Sequence, residues 1–65
     1  MKLEVGKTYI RKDFLYSAII LEISHGTVVY AFCNLKDGYL HKWETDSDRF
    51  KHNYSLATDL LTALF

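Results

Sequence analysis

Apolar positions along this chain recur mostly with a period of two, in short runs separated by glycine- or aspartate-bearing breaks, and change to helical spacing near the carboxyl end. The pattern is strongest over Tyr16–Cys33, read as YSAIILEI, SHG, TVVYAFC. Two runs rich in Ile, Val, Tyr and Phe, too short for typical helices and joined by a Gly-containing triplet, predict an antiparallel β-hairpin. On its first strand Ile19, Leu21 and Ile23 share one side and Ala18, Ile20 and Glu22 the other, and the first set is the expected core face. On the second, Val29, Ala31 and Cys33 alternate with Val28, Tyr30 and Phe32. Both sides are apolar there, so the strand is either central and covered twice, or shows an aromatic face to a partner.

The flanking segments extend the sheet. Met1–Gly6 is a lead-in, and Lys7–Lys12 alternates as a first strand, with Tyr9 and Arg11 on one side and Thr8 and Ile10 on the other. In the following link Phe14 is expected to cap the end of the core, the usual fate of a phenylalanine. Asn34–Gly38 carries the clearest turn signal, because Asp37-Gly38 supplies the positive φ that a tight connection needs. Tyr39–Thr45 then alternates again, with Tyr39, His41 and Trp43 expected inward. Asp46–Phe50 is expected to be a turn or a single 3₁₀ turn anchored by Phe50. In Ser55–Phe65, Leu56, Leu60, Ala63 and Leu64 fall at i, i+4, i+7 and i+8, which predicts a C-terminal helix capped by Asn53 or Ser55. A helix so short must dock. Leu61 and Phe65 widen its apolar arc, so its site is either the chain's own sheet or a second copy or another protein.

The expected architecture is therefore mainly β: a small SH3-like antiparallel barrel of four to five strands, one domain over residues 1–65, with 55–65 as a short C-terminal α-helix. A chain of 65 residues buries only about 60% of its unfolded surface, so its stability margin is thin. One cysteine allows no internal disulfide, which leaves a dense aromatic core, a metal or self-association as support. Eight basic and eight acidic residues cancel, removing the net attraction that drives non-specific nucleic-acid binding. No apolar run approaches a membrane span, the amino terminus lacks a signal peptide's hydrophobic region, and the lone cysteine fits a reducing compartment. A cytoplasmic location without membrane contact is expected.

Chemistry-bearing patterns are sparse. Cys33, His41 and His52 are zinc-ligand types, but no pair has the close spacing of a structural site. Cys33 or a serine beside a histidine would be needed for nucleophilic catalysis, and a chain this short has little room for the pocket. Asp46 and Asp48 lack the glycine and later glutamate of a calcium loop. The three glycines lie in three separate connections and build no phosphate cradle. No catalytic, cofactor or metal site is expected. Lys7, Arg11, Lys12, Lys36, Lys42, Arg49 and Lys51, interleaved with Tyr16, Tyr30 and Tyr39, leave a nucleic-acid or nucleotide ligand open.

Val5-Gly6-Lys7-Thr8-Tyr9 entering a strand, a hairpin strand holding Val28-Val29-Tyr30, the Gly38 turn, and Trp43 and Phe50 before a closing segment together resemble the small SH3-like barrel proteins encoded in bacteriophage and prophage genomes. The likeness covers roughly Leu3–Tyr54, and the apolar tail departs from it. The resemblance implies an accessory protein that acts by binding, such as an inhibitor of a host enzyme or defence system in the host cytoplasm. Anchors favoured in protein interfaces are Tyr, Trp and Arg. The expected partner surface is therefore Phe14, Tyr16, Tyr30, Tyr39 and Arg49, with Leu60, Leu61, Leu64 and Phe65 serving a partner or homo-oligomer through the C-terminal helix. Nucleic-acid or nucleotide binding and a structural role in virion assembly are the alternatives.

Overall fold

The computed structural model describes residues 2–58. Five strands and one helix follow in order: β1 (Thr8–Arg11), β2 (Tyr16–Ser24), β3 (Thr27–Asn34), β4 (Leu40–Asp46), α1 (Ser47–Asn53) and β5 (Tyr54–Leu56). The sheet order is β4-β3-β2-β1-β5, antiparallel throughout. This is a mainly β, SH3-like small barrel whose two edge strands are bridged by α1, packed against β3, β4 and β5. The hairpin expected over Tyr16–Cys33 is β2–β3. Its turn places His25 and Gly26 at φ 50° and 78°, the paired left-handed conformation that suits the twist of a tight hairpin.

Tyr9, Ile20, Val28 and Phe50 are sealed from solvent, and Leu3, Ala18, Tyr30 and Tyr54 nearly so. Phe50 is the hub of this core. Its ring stacks on Tyr54 at 4.5 Å and meets Tyr30 and Tyr9 edge-on at 5.1 and 5.4 Å, geometries that add stabilisation beyond area burial. Leu3, in the lead-in, also belongs to the core. The lead-in is tied down where Glu4 N–H donates to the Tyr9 hydroxyl at 3.0 Å and Gly6 N–H to Ile20 O at 2.8 Å.

The core face of β2 is the opposite of the expected one. Ala18 and Ile20 are buried, whereas Ile19 is 39% exposed and Leu21 and Ile23 are likewise open. A β-bulge lies between Ile20 and Glu22, so Ile20 pairs with Tyr30 but Glu22 with Val29. An extra residue in one strand breaks the two-residue alternation, and Ile19 and Ile23 therefore do not share a face. Pairing also resolves β3: Val28, Tyr30 and Phe32 face the core, with Val29, Ala31 and Cys33 half-buried behind.

Three further expectations are corrected. His41 and Trp43 do lie on the core side, opposite Phe32 and Tyr30, but among the described residues β4 is an edge strand and Trp43 is 65% exposed, while Tyr39, in the connection before it, is 70% exposed. Phe14 does not cap the core; it sits in the β1–β2 connection at φ 63°, more than half exposed. Ser55 and Leu56 are strand, not helix, because β1 offers an open edge that pairs Ser55 with Ile10 and Leu56 with Tyr9. Ala57 and Thr58 are helical, and the rest of the expected C-terminal helix lies outside the described residues.

The segment expected as a single turn is the seven-residue α1. Asp46 caps it, its side chain accepting from Arg49 N–H at 2.8 Å, and basic Lys51 and His52 occupy the last turn, where the helix dipole favours them. Phe50, its buried residue, is the anchor expected.

Candidate functional site

Polar chemistry gathers at one end of the barrel. The β1–β2 connection, the β3–β4 connection and the α1–β5 junction meet there because Tyr16 pairs with Asn34 and Arg11 with Tyr54. Lys12 N–H donates to Asn53 O at 2.8 Å and Leu35 N–H to Leu15 O at 2.9 Å, locking the loops together.

Asp13 organises the first of these loops. One carboxylate oxygen accepts from Leu15 N–H at 2.9 Å, and the other accepts from Arg11 Nε at 2.8 Å and from Arg11 Nη2. The guanidinium carbon lies 4.1 Å from the centre of the Tyr16 ring, a cation–π contact of about 0.5–1 kcal/mol at a partly open position. Arg11 is thus held between an anion and a ring. Its hydrogen bonds to Asp13 raise its pKa, and together with the Leu15 amide they pull the Asp13 carboxyl below its ordinary value.

Beside this pair opens a cleft of about 520 Å³ lined by Arg11, Lys12, Asp13, Tyr30, His52, Asn53 and Tyr54. Tyr30 and Tyr54 supply phenol groups, their ring centres 5.9 Å apart. Neither hydroxyl has a hydrogen-bond partner among the described residues, and neither oxygen is sealed from water. Burial raises both phenol pKa values, that of Tyr54 to about 12 with a further push from Tyr30. Both hydroxyls are therefore intact donors at neutral pH. With Arg11 and Lys12 cationic and the Asp13 carboxylate already engaged, the cleft presents donors for carbonyl, carboxylate or phosphate oxygens.

Phe14, Leu15, Leu35, Tyr39 and Leu40 are exposed at this same end. On the core side an aromatic shelf runs outward: Tyr16 meets Phe32 edge-on at 5.6 Å, and Phe32 stacks on His41 at 5.3 Å.

Of the partner residues expected from the sequence, Tyr30 lines the cleft, Tyr16 supports Arg11, and Phe14 and Tyr39 are exposed in connections at the same end without lining the cleft. Arg49 is exposed on α1, 4.0 Å from Asp46, and does not line the cleft. Leu60, Leu61, Leu64 and Phe65 lie outside the described residues. Tyr54, His52 and Asn53 escaped the sequence reading as site residues. They reach the cleft only because β5 pairs with β1, and no local pattern marks that pairing. Cys33 pairs with Leu40 and His41 with Phe32, so the cysteine and histidine lie on opposite faces of the sheet. Among the described residues no cluster of three His, Cys, Asp or Glu side chains is gathered, and no helix is long and apolar enough to cross a membrane. The chain matches no protein-family model, no curated protein and no solved structure.

Proposed function

We propose that this is a non-enzymatic binding protein that holds a segment of another protein at the loop-bearing end of the barrel. The observation that carries this reading is the pair of protonated tyrosine hydroxyls, unpartnered among the described residues, beside Arg11 and Lys12 in a cleft at the end of the barrel where apolar side chains are exposed. Donors of this kind orient the oxygens of a peptide, and Phe14 and Tyr39 add apolar contact; large aromatics and Arg dominate interface energetics. Inhibition of a host protein by a phage accessory protein is the form of this function that the family resemblance suggests.

A nucleotide or single-stranded nucleic acid is the second reading, favoured by the Arg11–Tyr16 stack and the Phe32–His41 shelf. Zero net charge weighs against it. Selection of a random-sequence peptide display library on the immobilised full chain tests the first reading. Enriched peptides are expected to combine acidic with apolar residues and to be lost with Arg11→Ala and with Tyr39→Ala. No enrichment, or enrichment indifferent to both substitutions, refutes it. Tight, steeply salt-dependent binding of a fluorescent oligothymidylate instead supports the second.

A further inference from the structure

We propose that β4 is the seam of a two-fold homodimer in which the strand pairs antiparallel with its own copy, centred on Trp43. The strand runs seven residues as an open edge, in unbroken register with β3 from Asp46 to Leu40, without a bulge. The chain has no proline to blunt it. Natural proteins usually protect such an edge by bulges, prolines or charges. Here the charges have a specific arrangement.

The backbone phase is set by the far end of the strand. Ser47 N–H donates to Gly26 O at 2.8 Å, continuing the register in which Asp46 faces Thr27. Antiparallel ladders alternate. Thr45, Trp43 and His41 therefore turn their amides and carbonyls toward β3, while those of Lys42 and Glu44 point out from the sheet.

Only outward-facing residues can exchange hydrogen bonds with an incoming strand. Centring the two-fold on Trp43 sets Lys42 of each copy opposite Glu44 of the other, with both backbone bonds formed in each pair. A two-fold centred on Lys42 would oppose lysine to lysine, and one on Glu44 glutamate to glutamate; like charges directly opposite are destabilising. Of these three registers, only the one centred on Trp43 sets no like charges opposite each other. In that register the two Trp43 residues form the close, non-hydrogen-bonded pair, bringing together aromatic side chains that are two-thirds exposed in the single chain. A shallow hollow of about 470 Å³ lined by Val29, Lys42, Trp43 and Glu44 lies along this edge. The two sheets would continue into one, and the β1–β5 end with the cleft would stay free.

Sedimentation velocity on the full chain tests the seam. Wild type is expected to dimerise, and Lys42→Glu or Glu44→Lys alone to raise the dimer dissociation constant by at least about tenfold, since each creates two like-charge pairs. The double exchange Lys42→Glu with Glu44→Lys is expected to restore the dimer. So is an equimolar mixture of the two single variants, as a heterodimer in which every opposed pair is again of opposite sign. In a Cys33→Ser background, Trp43→Cys is expected to form an intermolecular disulfide, because Cα atoms of such a pair lie about 4.5 Å apart, within disulfide reach. Far-UV circular dichroism unchanged in the single variants assigns the effect to association. A wild-type monomer at millimolar concentration overturns the proposal. So does a dimer indifferent to the charge reversals that gives no crosslink, which would move association to another surface.

Discussion

Replacing Phe50 by alanine removes the ring that Tyr54 stacks on and that Tyr9 and Tyr30 meet edge-on. The site is sealed, so little water can enter to compensate, and the three neighbours are rings too stiff to collapse into the gap. Truncating a buried phenylalanine costs about 3–5 kcal/mol, and the lost aromatic pairs place this site at the upper end of that range. A domain of this length has only about 3–10 kcal/mol in hand. Phe50→Ala is therefore expected to leave much of the chain unfolded at 25 °C. Phe50→Leu, which retains most of the volume, should cost about 1–2 kcal/mol and remain folded. Urea titration followed by far-UV circular dichroism measures both. Trp43 fluorescence is a poor monitor, since that side chain is largely exposed in the folded protein. A cost below about 1 kcal/mol for Phe50→Ala, the level of an ordinary substitution, would refute the assignment of Phe50 as the hub that positions Tyr30 and Tyr54 in the cleft.

The bulge in β2 makes neighbouring isoleucines unequal: Ile20→Ala is expected to cost about 2–5 kcal/mol and Ile19→Ala about 1 kcal/mol or less, and equal costs by urea titration would contradict the assigned core face. Tyr54 should ionise near pH 12 in a titration followed by absorbance at 295 nm, and Tyr54→Phe should remove that step. Because its pKa rises from 10.0 to about 12 in the fold, the stabilisation linked to the neutral phenol is complete below pH 10 and declines as pH rises through that window. Stability that stays flat from pH 10 to 12 in wild type, or falls equally in Tyr54→Phe, would exclude the burial described for this hydroxyl.

The cleft and the β4 edge lie at separate places on the molecule. Asn53 closes the cleft through the Lys12 hydrogen bond, and α1 carries His52 to its wall, so both depend on the anchoring of Phe50. At the other side of the sheet, β4 contributes little to the core and retains its exposed Trp43 and alternating charges. The proposed binding cleft and the proposed dimer seam would not compete for the same surface, because the buried core residues come from the lead-in, β1, β2, β3, α1 and β5.

Local chemistry alone marked strands β1 to β4, the β2–β3 hairpin, the Asp37-Gly38 turn and the anchoring role of Phe50, because alternation, turn residues and apolar content are properties of neighbouring positions. Parity likewise placed His41 and Trp43 on the core side of β4. What it left undetermined, or assigned wrongly, depended on remote partners. Ile19 lost its expected burial to a bulge, Trp43 to an uncovered edge, and Ser55-Leu56 left the helical pattern because β1 offered open hydrogen-bonding groups. Tyr54 joined Tyr30 and Arg11 through that same pairing. A strand's pattern tells which residues share a side, but burial and the assembly of a cleft require knowing what covers that side, and only the tertiary arrangement supplies it.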